Sequence, residues 1–229
     1  MSLIFEDLYK GADKSNFIAK VQQIAVNLGI NPNWLMFVMK IESGLNPQAV
    51  NKQPASTPGY DENGQLVKPA GVQDSSDPET RAIYRATGLI QFMPKTAKGL
   101  DTLNEELYNM SGVNQLNYVY KYYLPYKGKI KSLADLYLIT FFPAGLGKTD
   151  DFIFKTSSVS AEKIALANPG IDLNKDKKIT LAEFKQFIFN KIPNEYKGIL
   201  ASDEVLKKKN SGISLIFILI FIYYALIRK

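Results

Sequence analysis

The stretch NWLMFVMKIESGLNPQAVN, residues 33–51, contains the pattern around which the chain is organised. Apolar residues recur seven, four and three positions before Glu42. On a helix of 3.6 residues per turn, this spacing places the Glu42 carboxylate at the end of an apolar stripe. Asn31 as N-cap and Pro32 in the first turn predict the start of this helix, and Gly44 indicates its end. The apolar residues of the stripe are Leu35, Val38 and Met39.

The position of Glu42 predicts an unusual carboxyl group. Partial desolvation and the negative end of the helix dipole both disfavour the ionised form, so the pKa of Glu42 is expected to be raised. A carboxyl group with a raised pKa suits general acid catalysis. The pattern alone also allows Glu42 to extend into solvent beside Lys40 without a chemical role.

A second stretch favours the catalytic interpretation. Residues 88–97, GLIQFMPKTA, follow residues 42–51, ESGLNPQAVN, and we call them the second and first signature segments. In this order they closely resemble the two signature segments of the lytic transglycosylase and goose-type lysozyme family. The resemblance covers roughly residues 20–151 and implies a mainly α, lysozyme-like domain that cleaves the glycan strands of peptidoglycan.

The resemblance also implies a mechanism and site residues. Glu42 matches the family's single catalytic glutamate, which protonates the glycosidic oxygen between N-acetylmuramic acid and N-acetylglucosamine. It then accepts the proton of the muramoyl 6-hydroxyl, which gives a 1,6-anhydro product. The substrate-binding residues implied by the resemblance are Ser43, Gly88, Gln91, Met93 and Phe142.

A third segment departs from the family pattern. Residues 141–145, FFPAG, align with a family segment in which Phe142 would be tyrosine and Pro143 asparagine. The hydroxyl and amide that assist the family's reaction are therefore absent from these positions. The Phe-x-Pro-Ala form resembles that of phage-type wall enzymes, so we interpret it as a mark of a subfamily.

Composition excludes several other hydrolase classes. The chain of 229 residues contains no cysteine and no histidine, so it cannot build a Ser-His or Cys-His nucleophile or the usual zinc sites. Carboxylates and tyrosines remain as proton-transfer groups, which suits glycoside chemistry. The net charge of +6 favours anionic partners, but no nucleic-acid motif accompanies it.

Residues 53–79 are rich in Pro, Gly, Ser, Asp and Gln and predict an inserted loop with a turn or hairpin at residues 61–64. A hydrolytic lysozyme would need a second carboxylate to activate water, and a loop aspartate such as Asp61 or Asp74 is the alternative to a transglycosylase. A non-catalytic structural protein that only binds glycan is a further alternative. The loop carboxylates are Asp61, Glu62, Asp74, Asp77 and Glu79.

Residues 172–183, DLNKDKKITLAE, match the twelve-residue calcium loop of an EF-hand, with flanking helices expected over residues 160–167 and 180–191. Lys177 occupies the position where such loops have glycine, at a cost on the order of 1 kcal/mol. We expect a structural Ca²⁺ site, and the alternative is an acidic turn that binds nothing. The ligands would be Asp172, Asn174, Asp176, Lys178 through its carbonyl, Thr180 and Glu183.

Residues 213–227, ISLIFILIFIYYALI, contain no charge and are flanked by lysines and arginine. As a helix they span about 22 Å, short of a hydrocarbon core of about 30 Å, but snorkelling lysines and local thinning can close the difference. We predict a transmembrane anchor here; a buried or interfacial helix is the alternative. The N-terminus lacks a secretory signal pattern, so we expect the tail to hold the enzyme in a virion or host cell membrane, for phage entry or lysis.

The expected organisation follows from these segments. Residues 1–156 form the lysozyme-like domain, and residues 157–200 the helix-loop-helix. Residues 201–212 form a basic linker, and residues 213–227 the anchor. The first helix is expected from a cap at Ser15 to about Leu28.

Overall fold

Helices account for nearly all regular structure in the computed structural model, which describes residues 2–52, 58–67 and 77–201. The short strands β1 (Gly59–Tyr60) and β2 (Leu66–Val67) pair antiparallel around a turn at Asp61, which confirms the predicted hairpin. The helices are α1 Lys14–Leu28, α2 Pro32–Ser43, α3 Pro78–Ala82, α4 Pro94–Lys98, α5 Asn104–Asn109, α6 Gly112–Tyr123, α7 Leu133–Phe141, α8 Ala161–Ala167, α9 Leu181–Lys191 and α10 Lys197–Ala201.

The predicted cap of the first helix is wrong by two residues. Helix α1 begins at Lys14, and its N-cap residue is Asp13, which makes no side-chain cap hydrogen bond. Instead, one oxygen of the Asp13 carboxylate accepts a hydrogen bond of 2.6 Å from the Tyr9 hydroxyl. Ser15 therefore lies inside the first turn, and the local contact with Tyr9 holds Asp13 at the start of α1.

Helix α2 begins and ends as the sequence predicts. The Asn31 side chain accepts a hydrogen bond of 2.9 Å from the Asn33 amide, and Pro32 occupies the first turn. Gly44 ends the helix in the left-handed conformation with φ 64°. Because every residue of 33–39 is buried, α2 passes through the centre of the fold. Glu42, in the last turn of α2, lies at the edge of the core.

The core extends from the first helices to the C-terminal helix-loop-helix. Helix α2 packs against α1, α7 and α10, and α1 packs against α6. The indole N–H of Trp34 donates a 2.9 Å hydrogen bond to the carbonyl of Leu200. Phe154 stacks on Phe142 and also contacts Phe184 of α9. Residues on both sides of the predicted boundary at 156 thus belong to one apolar cluster.

The predicted membrane anchor, residues 213–227, and nearly all of the predicted linker, residues 201–212, lie outside the described residues. Within residues 2–52, 58–67 and 77–201, no helix has the length and apolar character needed to cross a bilayer.

Candidate active site

Glu42 occupies the last turn of α2 and is half-buried. The Tyr137 side chain of α7 lies beside its carboxylate, close enough for the hydroxyl to lower the pKa of Glu42. Tyr122 and Tyr123 of α6 lie close enough to interact electrostatically with this carboxylate. The catalytic candidate is thus surrounded by tyrosines from two neighbouring helices.

The environment of Glu42 has the electrostatic effect that the sequence predicts. Burial raises the pKa of Glu42 above its usual value, and the hydrogen bond from Tyr137 lowers it in part. Burial next to Glu42 also raises the pKa of Tyr137 far above its usual value, so this phenol stays protonated and can donate. Glu42 can therefore hold a proton at a pH where an exposed glutamate would be ionised.

The hydroxyls of Tyr122 and Tyr123 have other partners. Tyr122 donates a 2.8 Å hydrogen bond to the carbonyl of Ile139, and the Tyr123 hydroxyl pairs with the Thr140 hydroxyl at 2.5 Å. No pattern in the sequence distinguishes Tyr137 as a site residue, because LADLYLITFF is an almost continuous apolar run. Its proximity to Glu42 arises only when α7 packs against α2.

The two signature segments are held together by side chains that the resemblance assigns to substrate binding. The Ser43 hydroxyl lies 2.9 Å from the carbonyls of Met39 and Leu89 and can donate to either. The side-chain nitrogen of Gln91, Nε2, lies 3.1 Å from the carbonyls of both Ala49 and Gly88. Both side chains therefore fix the backbone of the second segment beside Glu42.

Gly88 allows the second segment to approach α6. Its φ is +83°, and a Cβ added there would lie 2.6 Å from the side-chain oxygen of Gln115. That same oxygen accepts a 2.9 Å hydrogen bond from the Leu89 amide. A side chain at position 88 would displace Gln115, so the requirement for glycine is explained by packing.

Met93 and Phe142 lie in different settings. Met93 is the N-cap residue of α4, and 38% of it is exposed, which leaves an apolar surface available. Phe142 is half-buried, and its ring stacks on Phe154 at a centroid distance of 4.7 Å and an interplanar angle of 3°. Because Phe154 in turn contacts Phe184, Phe142 connects the end of α7 to α9 through Phe154.

The described loop carboxylates take part in local structure. Asp61 accepts hydrogen bonds from the amides of Asn63 and Gln65, and Asp77 caps α3. Glu62 lies 3.8 Å from the Lys98 ammonium, and Glu79 accepts a 2.6 Å hydrogen bond from the Asn109 side chain. Asp74 lies outside the described residues.

A polar cavity of about 760 Å³ lies along the segment that follows Glu42 in the chain. Residues of α3 and α5 also line it, and Glu42 is not among the lining residues. The polar residues that line the cavity are Asn46, Gln48, Lys52, Arg81 and Tyr108.

The loop of residues 172–183 folds back on its first residue. One carboxylate oxygen of Asp172 accepts a 3.0 Å hydrogen bond from the Lys177 amide, and Lys177 has φ 63°. Asp172 is only 9% exposed, and its other carboxylate oxygen is buried without a hydrogen-bond partner. Ile153 pairs with Thr180, so a short antiparallel bridge links the segment before α8 to the end of the loop.

The Glu183 carboxylate has hydrogen-bond partners of its own. It accepts from the amide and hydroxyl of Thr180, which form a capping box at the start of α9, and from the amides of Leu173 and Asn174. Among the described residues, no group of three or more His, Cys, Asp or Glu side chains is arranged to hold a metal ion.

Residues 20–124 match the family model of the transglycosylase SLT domain. No curated protein and no solved structure matches the chain. The matched region includes both signature segments but ends before α7, so Tyr137 and Phe142 lie outside it. Members of this family are lytic transglycosylases acting on peptidoglycan. The match to this family model covers just under half of the chain, and the predicted enzyme class, peptidoglycan lytic transglycosylase, is confirmed.

Proposed function

We propose that Glu42 is the general acid and base that cleaves the β-1,4 bond between N-acetylmuramic acid and N-acetylglucosamine. The observation that carries this proposal is the half-buried Glu42 carboxyl, whose pKa burial raises, at the junction of the two signature segments. Such a group can be protonated when the glycan binds and ionised after it has given up its proton.

The reaction needs two proton transfers, one from the Glu42 carboxyl and one back to it. Glu42 donates its proton to the glycosidic oxygen as the bond from that oxygen to the muramoyl C1 breaks. The resulting carboxylate then takes the proton of the muramoyl 6-hydroxyl as that oxygen bonds to C1. No water is consumed, and Glu42 returns to its starting state. The Tyr137 hydroxyl stabilises the carboxylate formed between the two steps.

Two observations favour a transglycosylase over a hydrolase. The described loop carboxylates bond to nearby groups. The pKa of Glu42 is shifted by burial and by Tyr137, and no described loop carboxylate is among the causes. An inverting hydrolase instead needs a second carboxylate opposite the acid to activate water. Asp61, with its two backbone donors, is poorly suited to that role.

Mass spectrometry of fragments released from purified peptidoglycan tests this function. The wild type is expected to release 1,6-anhydro products, and Glu42→Gln none. Glu195→Gln, which changes an exposed glutamate, is the matched control and should retain activity. Reducing-end products would overturn the transglycosylase assignment and support a hydrolase, and an active Glu42→Gln would exclude Glu42 as the acid.

We also propose that residues 172–183 hold a structural Ca²⁺ ion. Support comes from the buried, unpartnered oxygen of Asp172 and from the loop that closes around it. The loop adds neutral oxygens from Asn174, Thr180 and the Lys178 carbonyl to its carboxylates. Coordination by Glu183 would replace its capping hydrogen bonds, so the ion has to offset the loss of the α9 cap.

Calorimetric titration of the full chain with CaCl₂ tests the site. Asp172→Asn should abolish binding and the accompanying rise in melting temperature. Asp150→Asn is the matched control, because Asp150 pairs with Lys185 of α9 outside the loop. Absence of heat and of any change in melting temperature in the wild type would exclude the site.

We further propose that residues 213–227 anchor the enzyme in a bilayer and that it acts in phage entry or lysis. Support comes from the uncharged run between basic flanks and from the phage-type form of residues 141–145. The full chain should float with phosphatidylcholine vesicles, and Leu219→Arg, at the centre of the run, should reduce flotation strongly. Detection in purified phage particles would support the role in entry.

A further inference from the structure

Residues 141–145, the third segment, lack the hydroxyl and the amide that assist the family's reaction. The ring of Phe142, at the position where the family has tyrosine, stacks on Phe154 and carries no hydroxyl. Pro143 likewise offers no side-chain donor. If Glu42 acts as acid and base, its carboxylate needs a donor from elsewhere during the step in which it is ionised.

Tyr137 provides that donor from the middle of α7. It lies five residues before Phe142, is only 6% exposed, and its hydroxyl lies beside the Glu42 carboxylate. We propose that Tyr137 is the positioning residue of this enzyme: it supplies from α7 the hydroxyl that residues 141–145 lack, and it holds the Glu42 carboxylate toward the glycosidic bond. This inference rests on the proposed function of Glu42.

The surroundings of Tyr137 keep its ring in place. Phe184 of α9 lies 5.8 Å from the Tyr137 ring, and the ring of Phe141 stacks on Phe184. Because Phe184 packs against the Tyr137 ring and is itself held by Phe141, Tyr137 has little freedom to turn away from Glu42. The helix-loop-helix, which lies outside the matched SLT region, therefore supports the active site through one aromatic contact.

The other ionisable groups that face Glu42 are Tyr122 and Tyr123 of α6. Their hydroxyls have partners in Ile139 and Thr140. The part of the second segment that packs on α2 through Ser43, residues 88–94, contains no ionisable side chain. A loss of the Tyr137 hydroxyl is therefore not replaced by another group of the described site.

Titration of glutamate carboxyl carbons by ¹³C NMR in the full chain tests this directly, and the Glu42 signal is the one absent from Glu42→Gln. In Tyr137→Phe we expect Glu42 to titrate about 0.5 to 1 pH unit higher, because a hydrogen bond to its ionised form is lost. Tyr123→Phe is the matched control, since it removes a neighbouring buried hydroxyl that pairs with Thr140, and should shift Glu42 far less.

Activity gives a second readout. The alkaline limb of kcat/KM for peptidoglycan cleavage should move to higher pH in Tyr137→Phe, and kcat should fall about tenfold with little change in KM. An unshifted Glu42 signal in Tyr137→Phe, or an equal shift in Tyr123→Phe, would overturn the inference. An active Glu42→Gln would instead reject the proposed function, and the NMR result would still report on the hydrogen bond.

Discussion

Glu42 and Glu183 are two half-buried glutamates in opposite electrostatic settings. Glu42 lies in the last turn of α2, where burial raises its pKa and Tyr137 is the hydrogen-bond donor that lowers it in part. Glu183 lies in the first turn of α9. Burial raises its pKa too, but the hydrogen bonds from Thr180, Asn174 and Leu173 bring it below the usual value.

The difference shows how helix polarity separates a reactive carboxyl from a structural one. The start of a helix has free amides that stabilise a carboxylate, whereas the end has free carbonyls that do not. Glu183 therefore stays ionised and caps its helix, while Glu42 keeps a proton that it can transfer.

The largest expected contrast between the two is in activity. Glu42→Gln should lower the rate of peptidoglycan cleavage at least about 1,000-fold, because the proton donor is lost while the shape is kept. Glu183→Gln should lower the same rate by less than about tenfold at 25 °C, since Glu183 affects activity only by stabilising the fold. Turbidity loss of purified cell walls measures both rates. Equal losses in the two variants would contradict the division of roles.

Glu183→Gln should have the larger effect on stability. The amide cannot accept all the hydrogen bonds that the carboxylate accepts, so the free energy of unfolding at pH 7 should fall by about 1 to 2 kcal/mol. Because the pKa of Glu183 is lowered on folding, its contribution is complete above the unfolded pKa and is lost as the pH falls through the folded pKa.

Urea unfolding of wild type and Glu183→Gln at several pH values measures this effect. The difference between the two proteins should shrink as the pH falls below about 4. A difference that persists unchanged in acid would point to lost packing at position 183. Glu195→Gln, in the exposed turn before α10, serves as the control for charge alone.

Glu42→Gln should change stability in the opposite direction. Removing a carboxylate that burial disfavours should raise the free energy of unfolding at pH 7 by on the order of 1 kcal/mol. The pKa of Glu42 is raised on folding, so the penalty in the wild type grows as the pH rises through the unfolded pKa and is complete above the folded pKa.

The same urea series tests this sign. The stability gain should disappear in acid, where Glu42 is protonated in both states. A Glu42→Gln variant less stable than the wild type at pH 7 would mean that the Tyr137 hydrogen bond outweighs desolvation. That outcome would assign Glu42 a structural role closer to that of Glu183.

The sequence predicted the parts of the site that depend on local rules. Asn31, Pro32 and Gly44 fix the two ends of α2, and the apolar spacing before Glu42 predicts its burial. The capping box of Thr180 and Glu183 similarly falls where the twelve-residue loop spacing places it. These signals are contained within a few residues of each other in the chain.

Contacts between distant segments could not be predicted in this way. Ser43 and Gln91 bond to backbone carbonyls of the other signature segment, and Gln115 approaches Gly88 from α6. Tyr137 reaches Glu42 across 95 positions of the chain. In each case the partner is chosen by helix packing, and a polar side chain in an apolar run gives no sign of its direction.

The smallest expected effect concerns Lys177, the residue of the 172–183 loop with φ 63°. A side chain in this left-handed conformation is strained, and glycine is not. Lys177 also pairs with Glu162 at 2.9 Å, but both side chains are more than half exposed, so the pair contributes little. Lys177→Ala removes the pair and keeps the strain, and Lys177→Gly removes both.

We therefore expect Lys177→Gly to be more stable than Lys177→Ala by about 0.5 to 1 kcal/mol in urea unfolding without calcium. Because the relaxed loop also holds Asp172 with less distortion, the affinity for Ca²⁺ should be higher in Lys177→Gly than in Lys177→Ala. Equal stability would mean that the Lys177 backbone carries no strain, and the departure of this loop from the glycine pattern would then have no energetic cost. The comparison of Glu183 with Glu42 would remain, since it depends on the two helix ends and not on the conformation of position 177.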